Sequence, residues 1–401
     1  MVHDDTHYKK TRFLLWTMAG QEGLKNRGYK ASDVKERLDA VQELTDTDLK
    51  AITDYTFDPE RASKNIENMI GVTQVPLAFA GPVLINGDLA QGPFLVPMAT
   101  TEGALVASVS RGMSVITASG GSRVKVFDDA MTRAPVFRVK GIDHSVEVIK
   151  WICDHTQEID DAVRSTTSHG RLINIETFPN GRNLHLRLSF QTGDAMGMNM
   201  ATIASEAVCR LIEENTGAVM VSVSGNMCTD KKPASINMIR GRGKYVVAEV
   251  TVPKDIVEKK LHADVARIVE TNDRKNLIGS AMAGSMGFNA HAANMLAAVF
   301  IATGQDPAHV VDGSLCITTC EDVDGDLYLA VRLPALEVGT VGGGTRLPSQ
   351  SAALDMIGCL GDGKARKLAE IVAVTVLAGE LSTLGAQAAG QLGKAHSQLG
   401  R

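Results

Sequence analysis

The sequence predicts an α+β protein with more than one domain, and three observations support this. The chain has 401 residues, which is more than a single hydrophobic core usually holds. Hydrophobic residues make up 44% and charged residues 22%, a composition typical of globular proteins. Stretches with helical spacing of apolar residues alternate with short strand-like runs bounded by Gly and Pro.

The first region, residues 1–62, is predicted to be helical with charged faces. Its apolar residues recur at helical spacing at Val34, Leu38, Val41 and Leu44. The dipeptide Asp58-Pro59 interrupts this pattern, because the residue before a proline disfavours the helical conformation.

Glycine becomes frequent after Gly71, and residues 72–98 are predicted to form short strands and turns. The segment Thr100 to Ile116 is predicted to be a helix. Thr100 or Thr101 would cap it and Glu102 would lie in its first turn.

Residues 135–222 are predicted to form a compact α+β unit with strands and helices in the order β-α-β-β-α-β. That order matches a ferredoxin-like motif. The unit could be inserted in a larger domain, because the segments on both of its sides share the same Gly-rich character. The predicted elements are, in order, Val136 to Val139, Val146 to Val163, Arg171 to Thr177, Asn183 to Phe190, Met196 to Glu214 and Val219 to Val223.

The remaining chain after Pro233 mixes helices and strands. A strand is predicted over Tyr245 to Val252 and another over Leu327 to Leu333. Helices are predicted near 254–271 and 289–302 and, at the end, over Ala365 to Leu384.

Charge and hydropathy exclude several classes of protein. The net charge is −5, from 41 basic and 46 acidic residues, so a nucleic-acid partner is not expected. No stretch of about 18 apolar residues occurs, so no membrane span is predicted. The longest apolar run, Leu368 to Leu384, contains Glu370 and Glu380. The N-terminus lacks the pattern of a signal peptide, and the six cysteines do not resemble a disulfide framework. A cytoplasmic protein with free thiols is expected.

Common nucleotide and metal motifs do not fit the sequence. No G-x-G-x-x-G follows a predicted strand, so a Rossmann fold is not indicated. The segment Gly358 to Ala365 matches the pattern of a phosphate-binding P-loop except at one position. Ala365 stands where a Mg²⁺-binding Ser or Thr is needed. There is no H-E-x-x-H, and the spacing of Cys316 and Cys320 is not that of a zinc knuckle, so no metal site is expected.

Four segments concentrate polar residues among small ones, and each also has a simpler structural explanation. Glu102 could simply be a residue of the first turn of a helix, and Asp306 a residue at a helix end. The charged residues of 224–233 could form a solvated turn, and His396 could simply be exposed near the end of the chain. The segments are Ala99–Ala104, Ser224–Pro233, Gly304–Pro307 with the preceding helix that carries His291 and Asn294, and Lys394–His396. Together they supply a lysine, a glutamate with a partner carboxylate, and a histidine. Reduction of a thioester requires such an electrophile, proton donor and acid for the leaving thiolate.

Long gap-free motifs in the same order make the chain resemble class I hydroxymethylglutaryl-coenzyme A (HMG-CoA) reductases, of the soluble prokaryotic type. The resemblance covers nearly everything from about residue 60 onward. The motifs are ENMIG (67–71) followed by Pro76 and Ala80–Pro82, TTEGALVAS (100–108), GDAMGMNM (193–200), SGNMCTDKKP (224–233), NLIGSAMAGSMGFNAHAAN (276–294), IATGQDP (301–307), GTVGGGT (339–345) and AGELS (378–382).

The resemblance implies three structural parts. They are an N-terminal helical region (1–62), a large acyl-CoA-binding domain (63–134 and 223–401) and a small inserted ferredoxin-like NADP(H)-binding domain (135–222). It also implies a homodimer with active sites at the subunit interface and leaves a higher oligomer open.

The resemblance further assigns catalytic roles. Lys231 matches the lysine that polarises the carbonyl and stabilises the oxyanion. Glu102 matches the proton-donating glutamate, and Asp306 matches the aspartate between them. His396 matches the histidine that protonates the departing coenzyme A thiolate.

Binding residues are assigned in the same way. The positions around the hydroxymethylglutaryl group are Arg133, Ser224, Asp230, Lys232, Lys275, His291 and Asn294. Arg111 matches a coenzyme A contact. The positions matching the nicotinamide dinucleotide site are Asp194, Met198, Asn199, Gly342, Gly343 and Gly344.

The position next to the cofactor's 2′-phosphate departs from the family pattern. Animal members have an arginine where this sequence has Ser168. His169, Arg171 or the terminal Arg401 could replace it. NADPH is therefore the expected cofactor by class, and NADH is not excluded.

The expected reaction is the reduction of HMG-CoA to mevalonate and CoA with two NADPH, a step of the mevalonate pathway to isoprenoids. Two alternatives stay open at this stage. One is NAD-dependent oxidation of mevalonate on the same fold, and the other is a non-catalytic ligand-binding protein on this scaffold.

Overall fold

The computed structural model describes residues 28–390, which divide into two compact units. The first unit contains the described residues up to Pro76 together with Arg346–Ser349. The second contains Leu77–Thr345 together with the residues from Gln350 on.

The first unit is built on helix α1 (Ala31–Thr45). Val34 of this helix packs with Ala62 and Met69 in a small hydrophobic cluster. Helical structure is less extensive than the sequence predicted, because residues 46–62 contain only two short 3₁₀ turns, Lys50–Ile52 and Pro59–Ala62. The side chain of Asp58 caps the second turn by accepting the N–H of Glu60 at 3.0 Å.

Helices and strands are interspersed through the remainder of the described chain. The further helices are α2 (Leu105–Ala118), α3 (Ile142–Asp154), α4 (Thr156–Arg164), α5 (Met198–Thr216), α6 (Ser235–Arg240), α7 (Lys254–Ile256), α8 (Val265–Thr271), α9 (Ser280–Ala283), α10 (Ala292–Thr303), α11 (Val310–Gly313), α12 (Pro348–Met356) and α13 (Ala365–Ala388). The strands are β1 (Leu77–Gly87), β2 (Gln91–Ala99), β3 (Ser122–Arg133), β4 (Val136–Arg138), β5 (Arg171–Asn180), β6 (Asn183–Gln191), β7 (Val219–Ser222), β8 (Gly243–Val252), β9 (Ile317–Val323) and β10 (Asp326–Leu336).

The strands form one ten-stranded, mostly antiparallel sheet in which β3 is the connecting strand. The main path runs β7-β4-β6-β3-β8-β10-β9. Arg123–Ala130 of β3 pair with β8, whereas Met131–Arg133 pair with β6. The structure is therefore an α+β fold, as predicted, although the prediction had no strand at β3 or β9. Both strands carry many charged or polar residues, so their apolar signal is weak.

The larger hydrophobic core surrounds α13, which is buried along most of its length. This helix is long and apolar enough to cross a membrane, but 94% of its most apolar stretch is buried inside the protein. Helix α2 packs closely on it, since a Cβ at Gly112 would clash with the backbone of Ala378. A core helix of this kind explains why its sequence is apolar on every face.

A second core cluster lies within 131–218 and is formed by the β4–β7 segment together with Met131 of β3. Here the order strand-helix-strand-strand-helix-strand occurs along the chain, with the strands ordered β7-β4-β6-β5 and every pair antiparallel. The single helix predicted over Val146 to Val163 is instead two helices, α3 and α4, which meet at His155. The ring of His155 stacks on Trp151 at that junction, with centroids 4.5 Å apart.

Two other helix predictions need correction. Helix α2 begins at Leu105, because Ala104 adopts a left-handed conformation with φ +68°. Glu102 therefore lies in a turn before the helix and not in its first turn. The segment predicted as helices near 254–271 contains α7 and α8 separated by a π-helical turn, Val257–Leu261, and a second π-helical turn follows at Asn272–Gly279.

Candidate functional site

Glu102 lies at one end of a set of site residues that includes Asn294. Its own N–H donates to the hydroxyl of Thr100 at 3.0 Å, so Thr100 fixes this turn and does not cap α2. Asn294, in the first turn of α10, donates its amide N–H to Glu102 Oε1 at 3.2 Å. The contact leaves the second carboxylate oxygen available for a proton transfer.

His291 directly precedes α10, so it is the N-cap residue and not part of the helix as the sequence predicted. Its Nδ1 lies 3.2 Å from the amide nitrogen of Asn294, which can only donate. The ring proton is therefore on Nε2, which lies 2.6 Å from the hydroxyl of Thr383 and 3.1 Å from the carbonyl of Gly379. The ring, Asn294 and Glu102 form one continuous hydrogen-bonded chain.

Glu380 supports this chain of hydrogen bonds, and it is not among the site residues predicted from the sequence. The residue is fully buried in α13. One carboxylate oxygen accepts the N–H of His291 at 2.8 Å, and the other accepts the N–H of Ala290 and the hydroxyl of Thr318, both at 2.7 Å. The sequence contains one signal for this role, a carboxylate in the middle of an apolar run. Such a carboxylate is expected to be buried, and a buried carboxylate requires hydrogen-bond donors.

Glu102, His291 and Asn294 line a cleft of about 440 Å³. Arg111 also lines it and donates three hydrogen bonds to Ser382, with burial lowering the pKa of its guanidinium. Lys275 lies on the Asn272–Gly279 turn and donates to Asn276 Oδ1 at 2.8 Å. Burial lowers the pKa of Lys275, and the nearby carboxylate of Glu380 opposes that shift.

A second set of site residues centres on Lys231 and Asp306. Lys231 Nζ lies 2.8 Å from Asp306 Oδ2, with both side chains partly exposed. The hydrogen bond with Asp306 raises the pKa of Lys231 despite burial. Burial acts to raise the pKa of Asp306, but the hydrogen bonds from Lys231 and from the N–H of Ala308 lower it overall. Lys231 is therefore held as a cation at the mouth of this site.

The loop 224–233, which carries Lys231, has an unusual backbone. Asn226, Thr229 and Lys231 all have positive φ, between 51° and 64°. Non-glycine residues adopt this conformation only when the surroundings hold them there. The N–H of Lys231 donates to Asp312 Oδ2 at 3.1 Å, which is one such restraint.

The other assigned residues of this loop make local contacts. Lys232 Nζ donates to the carbonyl of Asp230 at 3.0 Å, and the Ser224 hydroxyl lies 3.6 Å from Cys228 Sγ. Asp230 Oδ2 is 3.9 Å from Arg133, and its Oδ1 accepts from Arg242 at 3.0 Å. Arg242 is not among the site residues predicted from the sequence.

Several of the residues assigned to the nicotinamide dinucleotide lie next to each other. The N–H of Thr340 donates to the carbonyl of Asp194 at 2.8 Å, which joins the Gly-rich segment 339–345 to the start of α5. Met198 Sδ accepts from Arg242 at 2.8 Å, which connects this region to Asp230. Asn199 is exposed one residue further on.

The carboxylate of Asp194 is already occupied by the protein itself. Its two oxygens accept the N–H groups of Gly363 and Ala365, at 2.7 and 3.0 Å, at the start of α13. Two of the backbone donors that a phosphate would use in the P-loop-like segment 358–365 are therefore engaged. This geometry agrees with the rejection of a P-loop.

Three of the four candidates for binding the cofactor's 2′-phosphate lie within the described residues. Ser168, His169 and Arg171 are exposed, in and directly after the turn between α4 and β5. The glycine between them, Gly170, packs on Met200 of α5. His396 and Arg401 lie outside the described residues.

Within the described part of one chain, no hydrogen bond or ion pair joins the two sets of site residues. Glu102, Arg111, His291 and Asn294 belong to the cleft. Lys231 and Asp306 belong with Asp230, Arg133 and the Gly-rich segment.

Comparisons with known proteins identify the family to which this α+β fold and these two sets of polar residues belong. The profile of the hydroxymethylglutaryl-coenzyme A reductase family matches residues 33–401. The 3-hydroxy-3-methylglutaryl-coenzyme A reductase of Methanocaldococcus jannaschii is 53% identical over 92% of this chain and 93% of that protein. The corresponding enzyme of Halobacterium salinarum is 54% identical over 88% of both. The chain belongs to the hydroxymethylglutaryl-coenzyme A reductase family.

A solved structure shares the fold at much lower sequence identity. It is the class II 3-hydroxy-3-methylglutaryl-CoA reductase from Streptococcus pneumoniae bound to NADPH, with a TM-score of 0.67 and 19% identity. The match covers 91% of this chain and 99% of that one.

Proposed function

We propose that this chain reduces (S)-3-hydroxy-3-methylglutaryl-CoA to (R)-mevalonate and CoA with two NADPH, in the mevalonate pathway of isoprenoid biosynthesis. The observation that carries the proposal is the Lys231–Asp306 pair at 2.8 Å, on a restrained loop beside an open Gly-rich segment. About 50% identity to curated reductases over most of the chain supports it.

In this proposal Lys231 stabilises the oxygen anion that forms when the carbonyl is reduced. Asp306 keeps the lysine charged and oriented, because the pair raises the pKa of Lys231. Glu102, held by Asn294, donates the proton to the reduced oxygen. His396 protonates the departing thiolate of CoA. The substrate's acyl and CoA parts would contact Arg111, Arg133, Ser224, Asp230, Lys232, Lys275, His291 and Asn294.

The described residues fit a dinucleotide that supplies hydride. A Cβ added at Gly342 or Gly343 would meet no atom within 4 Å, so this backbone is open to a ligand. Gly344 packs against Gly304, which brings the segment close to Asp306. We assign Met198, Asn199 and Gly342–Gly344 to direct contact with the cofactor. Asp194 would act by positioning the Gly-rich segment, since its carboxylate is engaged.

A small cofactor domain over 135–222 is part of the proposal. The separate hydrophobic cluster and the strand order β7-β4-β6-β5 support a ferredoxin-like unit inserted in a larger substrate domain. Residues 63–134 and 223–401 would form that larger domain, and residues 1–62 the N-terminal region.

A homodimer is proposed because one chain holds the required groups in two separate sets. Pairing the cleft of one subunit with the Lys231 site of its partner would complete each active site at the interface. We also propose that the chain is of class I, on the form of its motifs. A cytoplasmic location is part of the same proposal.

A two-cofactor absorbance assay at 340 nm tests the function. Purified protein is mixed with HMG-CoA and either NADPH or NADH, and separately with mevalonate, CoA and NAD⁺ or NADP⁺. The proposal expects two NADPH oxidised for each CoA released. Preferential mevalonate oxidation with NAD⁺ would favour the first alternative, and binding of HMG-CoA without turnover would favour the second.

A further inference from the structure

Four charged or ionisable side chains are buried together beneath the Lys231–Asp306 pair, at the ends of four different segments. Arg242 directly precedes β8, His309 ends a 3₁₀ turn, Asp312 lies in α11 and Glu337 directly follows β10. Each is at most 1% exposed. We call these four residues the buried cluster.

The internal contacts of the buried cluster are short. Arg242 Nη1 donates to Glu337 Oε1 at 2.7 Å. His309 Nδ1 lies 3.2 Å from Asp312 Oδ2 and 3.0 Å from Glu337 Oε2. Asn237 adds an amide donor to Asp312 Oδ1 at 3.3 Å. The imidazole thus lies between two carboxylates that share a single guanidinium.

Charge balance favours a second cation in this space. Burial raises the pKa of Glu337, and its contacts with His309 and Arg242 oppose that rise. With both carboxylates ionised, Asp312 and Glu337 place two negative charges against the one positive charge of Arg242, and an uncompensated buried charge is costly. A protonated His309 restores neutrality. Burial acts to lower the pKa of His309, but its bonds to Asp312 and Glu337 raise it to about 9. The imidazole is therefore a cation at neutral pH.

The buried cluster contacts the proposed catalytic pair at two points. Asp312 Oδ2, which faces His309, also accepts the backbone N–H of Lys231. Lys231 is one of the residues of this loop with positive φ. His309 Nε2 is 3.8 Å from Asp306 Oδ2 and 4.0 Å from Asp230 Oδ1. This Nε2 is buried and has no hydrogen-bond partner among the described residues. Its proton therefore faces the carboxylate that orients Lys231.

We propose that His309 is a positioning residue of the reductase reaction, whose buried positive charge orients the carboxylate of Asp306 and, through Asp312, fixes the Lys231 loop. The proposal rests on the proposed function, because it acts on Lys231 and Asp306. The charged groups that face His309 are Asp306, Asp312, Glu337, Asp230, Arg242 and Lys231.

A metal ion is the competing explanation, since ligand atoms of His309, Asp312 and Glu337 lie within 4.8 Å of one another. Arg242 argues against it, because its guanidinium is already bonded to Glu337 and would face a divalent ion at short range. A metal site would need free carboxylate oxygens, whereas in the buried cluster Arg242 already occupies an oxygen of Glu337.

The pH dependence of kcat separates a positioning role from a merely structural one. In the intact enzyme we expect kcat to fall as pH rises through about 9, where His309 loses its proton. Lys231 keeps its proton through this range, since its hydrogen bond with Asp306 raises its pKa. His309→Gln should lower kcat at pH 7 by about ten- to a hundredfold, with KM nearly unchanged, and should abolish the limb near pH 9.

His144→Gln is the matched control. His144 is also buried and hydrogen-bonded, to the carbonyl of Thr216 and the N–H of Lys140, but it lies in the β4–β7 segment. It should keep both kcat and the alkaline limb. An unchanged kcat and limb in His309→Gln would overturn the proposal.

Asp312→Asn keeps the test decisive if His309→Gln does not fold. This variant keeps an oxygen for the Lys231 N–H but removes one anion beside the imidazole, so the limb should move to lower pH. An unmoved limb would refute the role of His309. Loss of activity on chelation with recovery on added Zn²⁺ would replace the proposal by a metal site. Absence of reductase activity in the intact protein would instead refute the proposed function.

Discussion

Glu380→Gln should damage both stability and activity, because this buried carboxylate accepts three hydrogen bonds. The amide has one oxygen, which can take the place of Oε2 and keep the bonds from Ala290 and Thr318. Its NH₂ group would then face the N–H of His291, donor against donor, at the present 2.8 Å.

The expected loss can be worked from these contacts. One lost charge-assisted bond costs about 1.5–3 kcal/mol, and the two remaining bonds become neutral ones of roughly half the strength. The variant no longer buries a charge, which offsets part of the loss. We expect a decrease of about 2–4 kcal/mol in the free energy of unfolding.

Activity should fall as well, because Glu380 fixes the backbone at His291. A shift there moves the ring away from Asn294, which in turn holds Glu102. Displacements of about 1 Å at a site can cost roughly a hundredfold in rate, so we expect kcat/KM to drop at least about tenfold.

Glu370→Gln is the matched control on the same helix. Glu370 is also a buried carboxylate, but its Oε2 accepts the N–H groups of Leu89 and Ala90 in the β1–β2 turn, at 3.0 and 2.6 Å. One amide oxygen can keep both bonds, so we expect a loss of only about 1–2 kcal/mol and unchanged kcat/KM. Unfolding curves and steady-state kinetics of both variants give the comparison. Equal kcat/KM in both variants would refute the link between Glu380 and the site.

Three further predictions concern the assigned catalytic and cofactor residues. Lys231→Ala should lose several kcal/mol of transition-state stabilisation, seen as a fall in kcat of about a thousandfold or more, while circular dichroism stays native; near-normal turnover would contradict its role. His396→Gln should lose reduction of HMG-CoA yet keep reduction of added mevaldehyde, which releases no thiolate; equal loss of both would mean that His396 organises the whole site. Deletion of Arg401 should raise KM for NADPH by about ten- to a hundredfold and leave KM for NADH nearly unchanged; if both constants stay the same, Arg401 is not a phosphate ligand.

The assigned site residues could be identified from sequence motifs, because a motif is recognised from the order of its residues along the chain. Lys231 and Asp306 are 75 residues apart in the chain, and each is identified by its own motif. Their 2.8 Å contact is visible only in the folded structure. His291 and Asn294 stand three residues apart in one motif, and their side chains meet at 3.2 Å. Local spacing carries such information even though α10 begins one residue later than His291.

The supporting residues were missed because their partners are distant in sequence and their own surroundings are uninformative. Glu380 appeared only as an interruption in an apolar run, and 89 residues separate it from His291. His309 ends a short 3₁₀ turn and Glu337 directly follows β10, and a charged residue is ordinary at the end of an element. Only the folded chain shows that both are buried with Arg242.

The sequence by itself determined the α+β class, most of the strands and helices and the residues that carry the proposed chemistry. These depend on periodicity, turn residues and motifs, all of which are local. Tertiary structure alone decided that β3 joins the two cores, that Asp194 bonds the start of α13 and that His309 lies under Asp306. The physical reason is burial: the cost of placing charge out of water makes these partners necessary, but it arises only once the chain is packed.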